Sequence, residues 1–407
     1  MTNIPSKRTQ SAATPPCRIK LKWLILFCIV FYILGLWIVN VGVHSNTSTS
    51  TSTISATPAT VQRIESSHPD FPREPQPRPP LKSIVQGWNI TGDPSWLLNL
   101  AIIGFPKTGT STLMKYLHMS PQVHVFDEER CEMGYNQHAK LIESLYNDIP
   151  SGNFIRGIKC PRDTEIPMAL QNYHKYFPKT DFMIGLRHPV HWFESFYNFR
   201  VHNLFIMPPA DKLFGRCVRR HQGLCTVRGN FHLFLGNLGK TNLATDPHEQ
   251  ALIPKEYRKM IRPVPLQGRI FLWDISQLKP DLDTTTTAAA AAAVPHSHAQ
   301  FREDLRQFLR LEEPLPEMIW VKPGVSHDRL NLNETIQQKV ANSKIDICEE
   351  RYGTLRAVLV QQGALAAQWI RTYFLPADGV FVSQKEYFSK VVLESWGRDP
   401  CEERRVR

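Results

Sequence analysis

In GFPKTGTST, residues 104–112, two glycines bracket Pro106, Lys107 and Thr108, and Thr110, Ser111 and Thr112 open a helical pattern. An apolar run, LNLAIIGF, leads into it. Gly104 and Gly109 permit a tight turn, so the N–H groups of 107–111 converge at a helix start, which suits an anion. Lys107 adds a point charge there, and the hydroxyls add donors. A nucleotide-hydrolysing loop needs G-x-x-x-x-G-K-[ST]. Here Thr110 follows Gly109, and the lysine stands two places ahead of that glycine. No obvious strand-end aspartate offers itself for magnesium. The expectation is a phosphate loop that works without a metal.

Further charged residues follow at suggestive places. GLRHPVHWFESFYNFR, residues 185–200, puts Arg187 at a strand end and Ser195 eight positions on. HVFDEERCEMG supplies Asp127, Glu128, Glu129 and Glu132 as candidate bases, and Lys159 ends the run FIRGIK.

GFPKTGTSTL resembles the 5′-phosphosulfate loop of sulfotransferases that use 3′-phosphoadenosine 5′-phosphosulfate (PAPS). The segment around Arg187 and Ser195 resembles the same family's 3′-phosphate grip. The resemblance spans residues 98–320 and implies a P-loop sulfotransferase fold, α/β with a central parallel sheet. It implies donor binding by Pro106, Lys107, Thr108, Gly109, Thr110, Ser111, Thr112, Arg187 and Ser195. In members similar to heparan sulfate 3-O-sulfotransferase, a glutamate follows the loop lysine at the spacing that Glu129 holds. A carboxylate beside a polyanionic donor gains basicity. Glu129 is therefore expected as the catalytic base, with Glu128, Glu132 and a histidine such as His118 as alternatives. Where those relatives continue His-Phe-Phe, this chain has Arg130, Cys131 and Glu132. Lys159 matches a strand-end lysine that in glycan-sulfating relatives reaches the transferred sulfate, which makes it a catalytic candidate with Lys107.

The elements that must position these groups are legible as alternating patterns. LNLAIIGF, FIRGIK, DFMIGL and RIFLWDI read as strands covered on both faces. TSTLMKYLHM, EIPMALQNYHKYF and FREDLRQFLRL have helical spacing between them. Such alternation predicts a parallel sheet with crossover helices. A low-complexity stretch at 283–298 reads as a surface insertion.

The chain ends carry their own signals. Residues 23–43 are uncharged and long enough for one bilayer-spanning helix, and Lys7, Arg8, Arg18, Lys20 and Lys22 precede them. The expectation is a cytosolic tail (1–22), a single-pass type II signal anchor in the lipid bilayer (23–43), a Ser/Thr/Pro-rich lumenal stalk (44–94) and a sulfotransferase domain (95–407). Six cysteines beyond residue 43 suit disulfides in an oxidising compartment, Cys217 and Cys225 being a plausible pair. Asn46, Asn89 and Asn333 stand in N-glycosylation contexts. The net charge of +11 comes without a nucleic-acid module, so no nucleic-acid partner is expected. With the resemblance, these readings imply a Golgi carbohydrate sulfotransferase acting on a glycan or glycoprotein hydroxyl or amine. Protein tyrosine sulfation, a P-loop kinase and a non-catalytic glycan-binding membrane protein are the alternatives.

Overall fold

The computed structural model describes residues 73–279, 296–318 and 334–402. Residues 1–72, with the expected anchor and Asn46, lie outside the described residues, as do Asn333 and all but the last three positions of 283–298. No helix among the described residues is long and apolar enough to cross a membrane. Nothing in the described residues supports the expected membrane anchor, the bilayer partner or the Golgi type II placement, and these expectations are withdrawn.

The sheet begins with β1, Leu100–Gly104, every residue of which is buried. The next strand, β2 (Val123–Glu129), buries Val123 and Val125 but exposes Asp127, Glu128 and Glu129. β3 (Ile155–Lys159), β4 (Asp181–Leu186) and β5 (Ile270–Asp274) are again buried throughout, and β6 is the short edge Val380–Val382. All pair in parallel, in the order β2-β3-β1-β4-β5-β6.

Alternation along β1 divides the core. Leu100 and Ile102 face a cluster with Leu113 and Leu117 of α1 (Thr110–His118) and with Phe301 and Phe308, from the helix His298–Leu309. Ala101 and Ile103 face the other cluster, which holds α2 (His138–Asp148), α3 (Pro167–Tyr176), α4 (Pro189–His202) and the helix Gly353–Trp369. Each fully buried Leu or Ile contributes about 1.5–3 kcal/mol, which is why the strands read as unbroken apolar runs.

Residues from Glu74 onward, which composition assigns to the stalk, pack on this body. The Glu74 carboxylate accepts hydrogen bonds from Arg156 (2.6 Å), the Gly152 amide (2.9 Å) and the Ser151 hydroxyl (2.8 Å). Asn89 is exposed in a small hairpin, Val85–Gln86 with Asn89–Ile90. All six cysteines beyond residue 43 are paired: Cys131–Cys160, Cys217–Cys225 and Cys348–Cys401.

Candidate functional site

The strand order turns at β1. β3 lies on one side of it and β4 on the other, so the chain leaves the sheet in opposite directions from neighbouring strands. In open parallel sheets that crevice, beyond the carboxyl ends of the strands, is where ligands bind. Five of the charged groups stand at those ends: Lys107 after β1, Glu129 at the end of β2, Lys159 at the end of β3, Arg187 just past β4 and Asp274 at the end of β5.

The loop after β1 is held from several sides. The Trp192 indole N–H donates to the Pro106 carbonyl (2.9 Å), and that of Trp273 donates to the Thr108 carbonyl (3.2 Å). Arg187 donates to the Lys107 carbonyl (3.3 Å), and the Thr108 hydroxyl turns back onto the Phe105 carbonyl (2.6 Å). Gly185 makes this approach possible, since a Cβ there would lie 2.5 Å from both Thr108 Oγ1 and the Trp273 ring. Gly109 caps α1 at φ +88°, a conformation that suits glycine. The N–H groups of Thr110, Ser111 and Thr112 then have no acceptor within the helix. Thr110 and Thr112 are buried and Ser111 half-buried.

Lys107 itself sits at φ +68°, with its amine 4.1 Å from the centre of the Phe199 ring. Burial first, then the charges of Arg187 and Lys159, pull its pKa down to about 8 against the opposing pull of Glu129. Ser195 lies one turn before Phe199 on α4, so it shares the face that fronts the loop, although it does not line the cleft beside Arg187. That cleft, about 320 Å³, is bounded by Arg187, His191, Asp274, Lys279 and Arg398.

On the other side, Lys159 and Glu129 are register partners across β3 and β2, Nζ to Oε1 3.0 Å. Lys159 also donates to the Ser111 hydroxyl (2.8 Å), which ties this pair to the loop. The Cys131–Cys160 disulfide joins the two strands immediately beyond. Of the alternative bases, Glu132 is committed to Arg130 (2.9 Å), and Glu128 is exposed within the irregular stretch where the β2–β3 register shifts. His118 bonds the Val125 carbonyl (3.2 Å). The geometry therefore brings Lys107, Ser111, Lys159 and Glu129 together. Among the described residues, no group of three or more His, Cys, Asp or Glu could hold a metal.

Sequence reasoning missed the two indole clamps, the Phe199 ring under Lys107, and Asp274. The last had a signal in LWDI, an aspartate closing a buried strand.

No model of a known protein family matches the chain, and no curated protein does. Among solved structures it is similar to a crystal structure of a sulfotransferase from Alicyclobacillus acidocaldarius. The identity is 13% and the TM-score 0.35, over 67% of this chain and 96% of that one. The likeness is to a sulfotransferase, and it is too loose to decide fold family or activity. The expected identity as a Golgi carbohydrate sulfotransferase is corrected on the same findings, since no family or curated relative supports it.

Beneath the site, Asp163 is fully buried. One oxygen accepts from the Tyr173 hydroxyl (2.8 Å) and the other has no partner. Burial pushes its carboxyl up to about 7, against the Tyr173 bond and Arg162. The folded state then holds a proton that the unfolded state releases near pH 4, so stability declines as pH rises from about 4 to about 7. Asp163→Asn keeps an acceptor for Tyr173 and removes that dependence. Chemical denaturation at pH 8 should find the variant more stable by about 1–3 kcal/mol. Equal stability at pH 8, with an unchanged pH slope, would show that this carboxyl titrates normally.

Proposed function

We propose that this protein transfers a sulfuryl group from PAPS to a hydroxyl or amine of an acceptor. The observation that carries the reading is the convergence at the switch point: a helix-start loop with a buried-side lysine, next to an ion-paired carboxylate. In this reading the loop amides, Thr110, Ser111 and Thr112 hold the 5′-phosphosulfate. Arg187 takes the 3′-phosphate, and Ser195, on the α4 face that fronts the loop, adds a hydroxyl. Glu129 accepts the acceptor's proton as its oxygen bonds to sulfur. The bond from sulfur to the 5′-phosphate oxygen breaks, and Lys107 meets the charge that gathers there. Lys159, between Ser111 and Glu129, orients the carboxylate and faces the sulfuryl group in flight.

Donor selectivity tests this directly. Adenosine 3′,5′-bisphosphate should bind at least about tenfold more tightly than adenosine 5′-monophosphate, the value of a charge-assisted contact of about 1.5–3 kcal/mol. Arg187→Ala should shrink that difference. Equal affinity of the two nucleotides for the unaltered protein in calorimetry would dismiss the PAPS reading.

A further inference from the structure

A second cleft, about 440 Å³, is lined by Arg162, Glu165, Arg200, Arg219, Gly223 and Arg228 among others. It holds four guanidinium groups and one carboxylate. That carboxylate is already taken, because Arg228 grips Glu165 with two parallel bonds (2.5 and 2.6 Å) and gives a third to the Gly223 carbonyl. Arg162 donates only to the neutral Tyr135 hydroxyl (3.1 Å).

Arg200 is the least satisfied. Its Nε is buried without a hydrogen-bond partner. Its guanidinium lies over Phe205 (4.8 Å) and Phe196 (5.1 Å), and Arg228 lies over the same Phe196 ring (4.6 Å). A Cβ on Gly223 would stand 3.4 Å from Arg200 Nη2 and 3.8 Å from Arg228 Nη1. Two cationic tips thus front one point across a residue that has no side chain. Burial first, then Arg228 and Arg162, make the charge on Arg200 harder to keep than usual. Bringing like charges together in a partly dry cleft costs free energy unless an anion completes the arrangement.

The cleft connects to the phosphate loop through chain neighbours of its lining residues. Arg162 and Glu165 flank Thr164, whose hydroxyl donates to the Ile103 carbonyl (2.8 Å) in the strand that feeds the phosphate loop. Arg200 directly follows Phe199, the ring beneath the Lys107 amine. The loop carrying Arg219 and Gly223 is closed by the Cys217–Cys225 disulfide.

We propose that this cleft is an anion subsite for the acceptor, receiving a carboxylate, sulfate or phosphate group carried by the molecule that is sulfated. The word acceptor rests on the sulfuryl-transfer reading, whereas the anion site itself does not. Guanidinium forks match the planar or tetrahedral oxygens of such groups, and Arg200 and Arg219 offer the donors that no carboxylate occupies.

Inorganic sulfate is the probe. With adenosine 3′,5′-bisphosphate saturating the nucleotide site, calorimetry should detect sulfate binding to the unaltered protein. Arg200→Gln and Arg219→Gln should each weaken it about tenfold, with bisphosphate affinity unchanged. Lys107→Ala serves as the control for sulfate seated in the donor's own pocket. Sulfate binding that is absent, that ignores both arginine variants, or that disappears with Lys107→Ala would overturn the subsite. Failure of the bisphosphate to bind would instead overturn the donor reading, and sulfate with the arginine variants would still decide the cleft.

Discussion

If the proposed sulfuryl transfer holds, Lys107→Ala should lower its single-turnover rate about 10²–10³-fold, the scale of losing one preorganised donor at a developing charge. The amine is held in place from several sides. Its backbone is left-handed, its carbonyl is tied by Arg187 and its ammonium rests on the Phe199 ring. Because its pKa stands near 8 before donor binds, the charge is present at neutrality and is lost as pH rises further. Catalytic efficiency, kcat/KM, should therefore fall through about pH 8, while kcat holds to higher pH, because bound phosphates favour the charged amine. Lys107→Arg should move the basic limb of kcat/KM well above pH 8, whatever it costs in rate. A Lys107→Ala protein that binds donor weakly but reacts at full rate would reduce this lysine to a ground-state contact.

Glu129→Gln should lower the same rate about 10²–10⁴-fold and leave bisphosphate affinity nearly unchanged, as expected for loss of a general base. Glu129 is half exposed although its oxygen lies 3.0 Å from a buried lysine, so one side of the carboxylate is fixed and the other is open to an acceptor. Glu128→Gln and Glu132→Gln are the controls. The first residue has no lysine partner like that of Glu129 among the described ion pairs, and the second already answers Arg130. If Glu129→Gln keeps the full rate while either neighbour loses it, the base has been misplaced. If none of the three matters, a histidine or an unassisted acceptor accounts better for the chemistry.

The strands that carry most of this site were legible because both faces of each are covered, which leaves continuous apolar runs such as LAIIG and DFMIGL. The β2 strand was not, since its outer half is the exposed Asp127–Glu129 and its apolar alternation is only two residues deep. Lys107 could be chosen by type and spacing, Glu129 and Lys159 only through the resemblance, and the sheet register does put Glu129 opposite Lys159. The clamps could not. Trp192 and Trp273 read as ordinary core aromatics until tertiary structure aims their N–H groups at the loop. The arginine cleft was equally hidden, because its members lie on four separate segments. Composition also misjudged where the body starts, since a proline-rich stretch conceals Glu74, whose carboxylate binds it to Arg156.

The Cys131–Cys160 bond closes a 29-residue span at the edge of the reacting centre, with one sulfur two positions past Glu129 and the other next to Lys159. Opening such a loop costs about 3–4 kcal/mol of folded-state advantage, but its local effect is more pointed. Cys160 is wholly buried and Cys131 only partly, so thiol reagents reach this staple slowly and from one side. Dithiothreitol, a routine storage additive, would then act as a slow inactivator: preparations kept in it would drift in specific activity with age while still passing a folding check. Purification buffers free of thiols are the appropriate starting condition for any screen of acceptors.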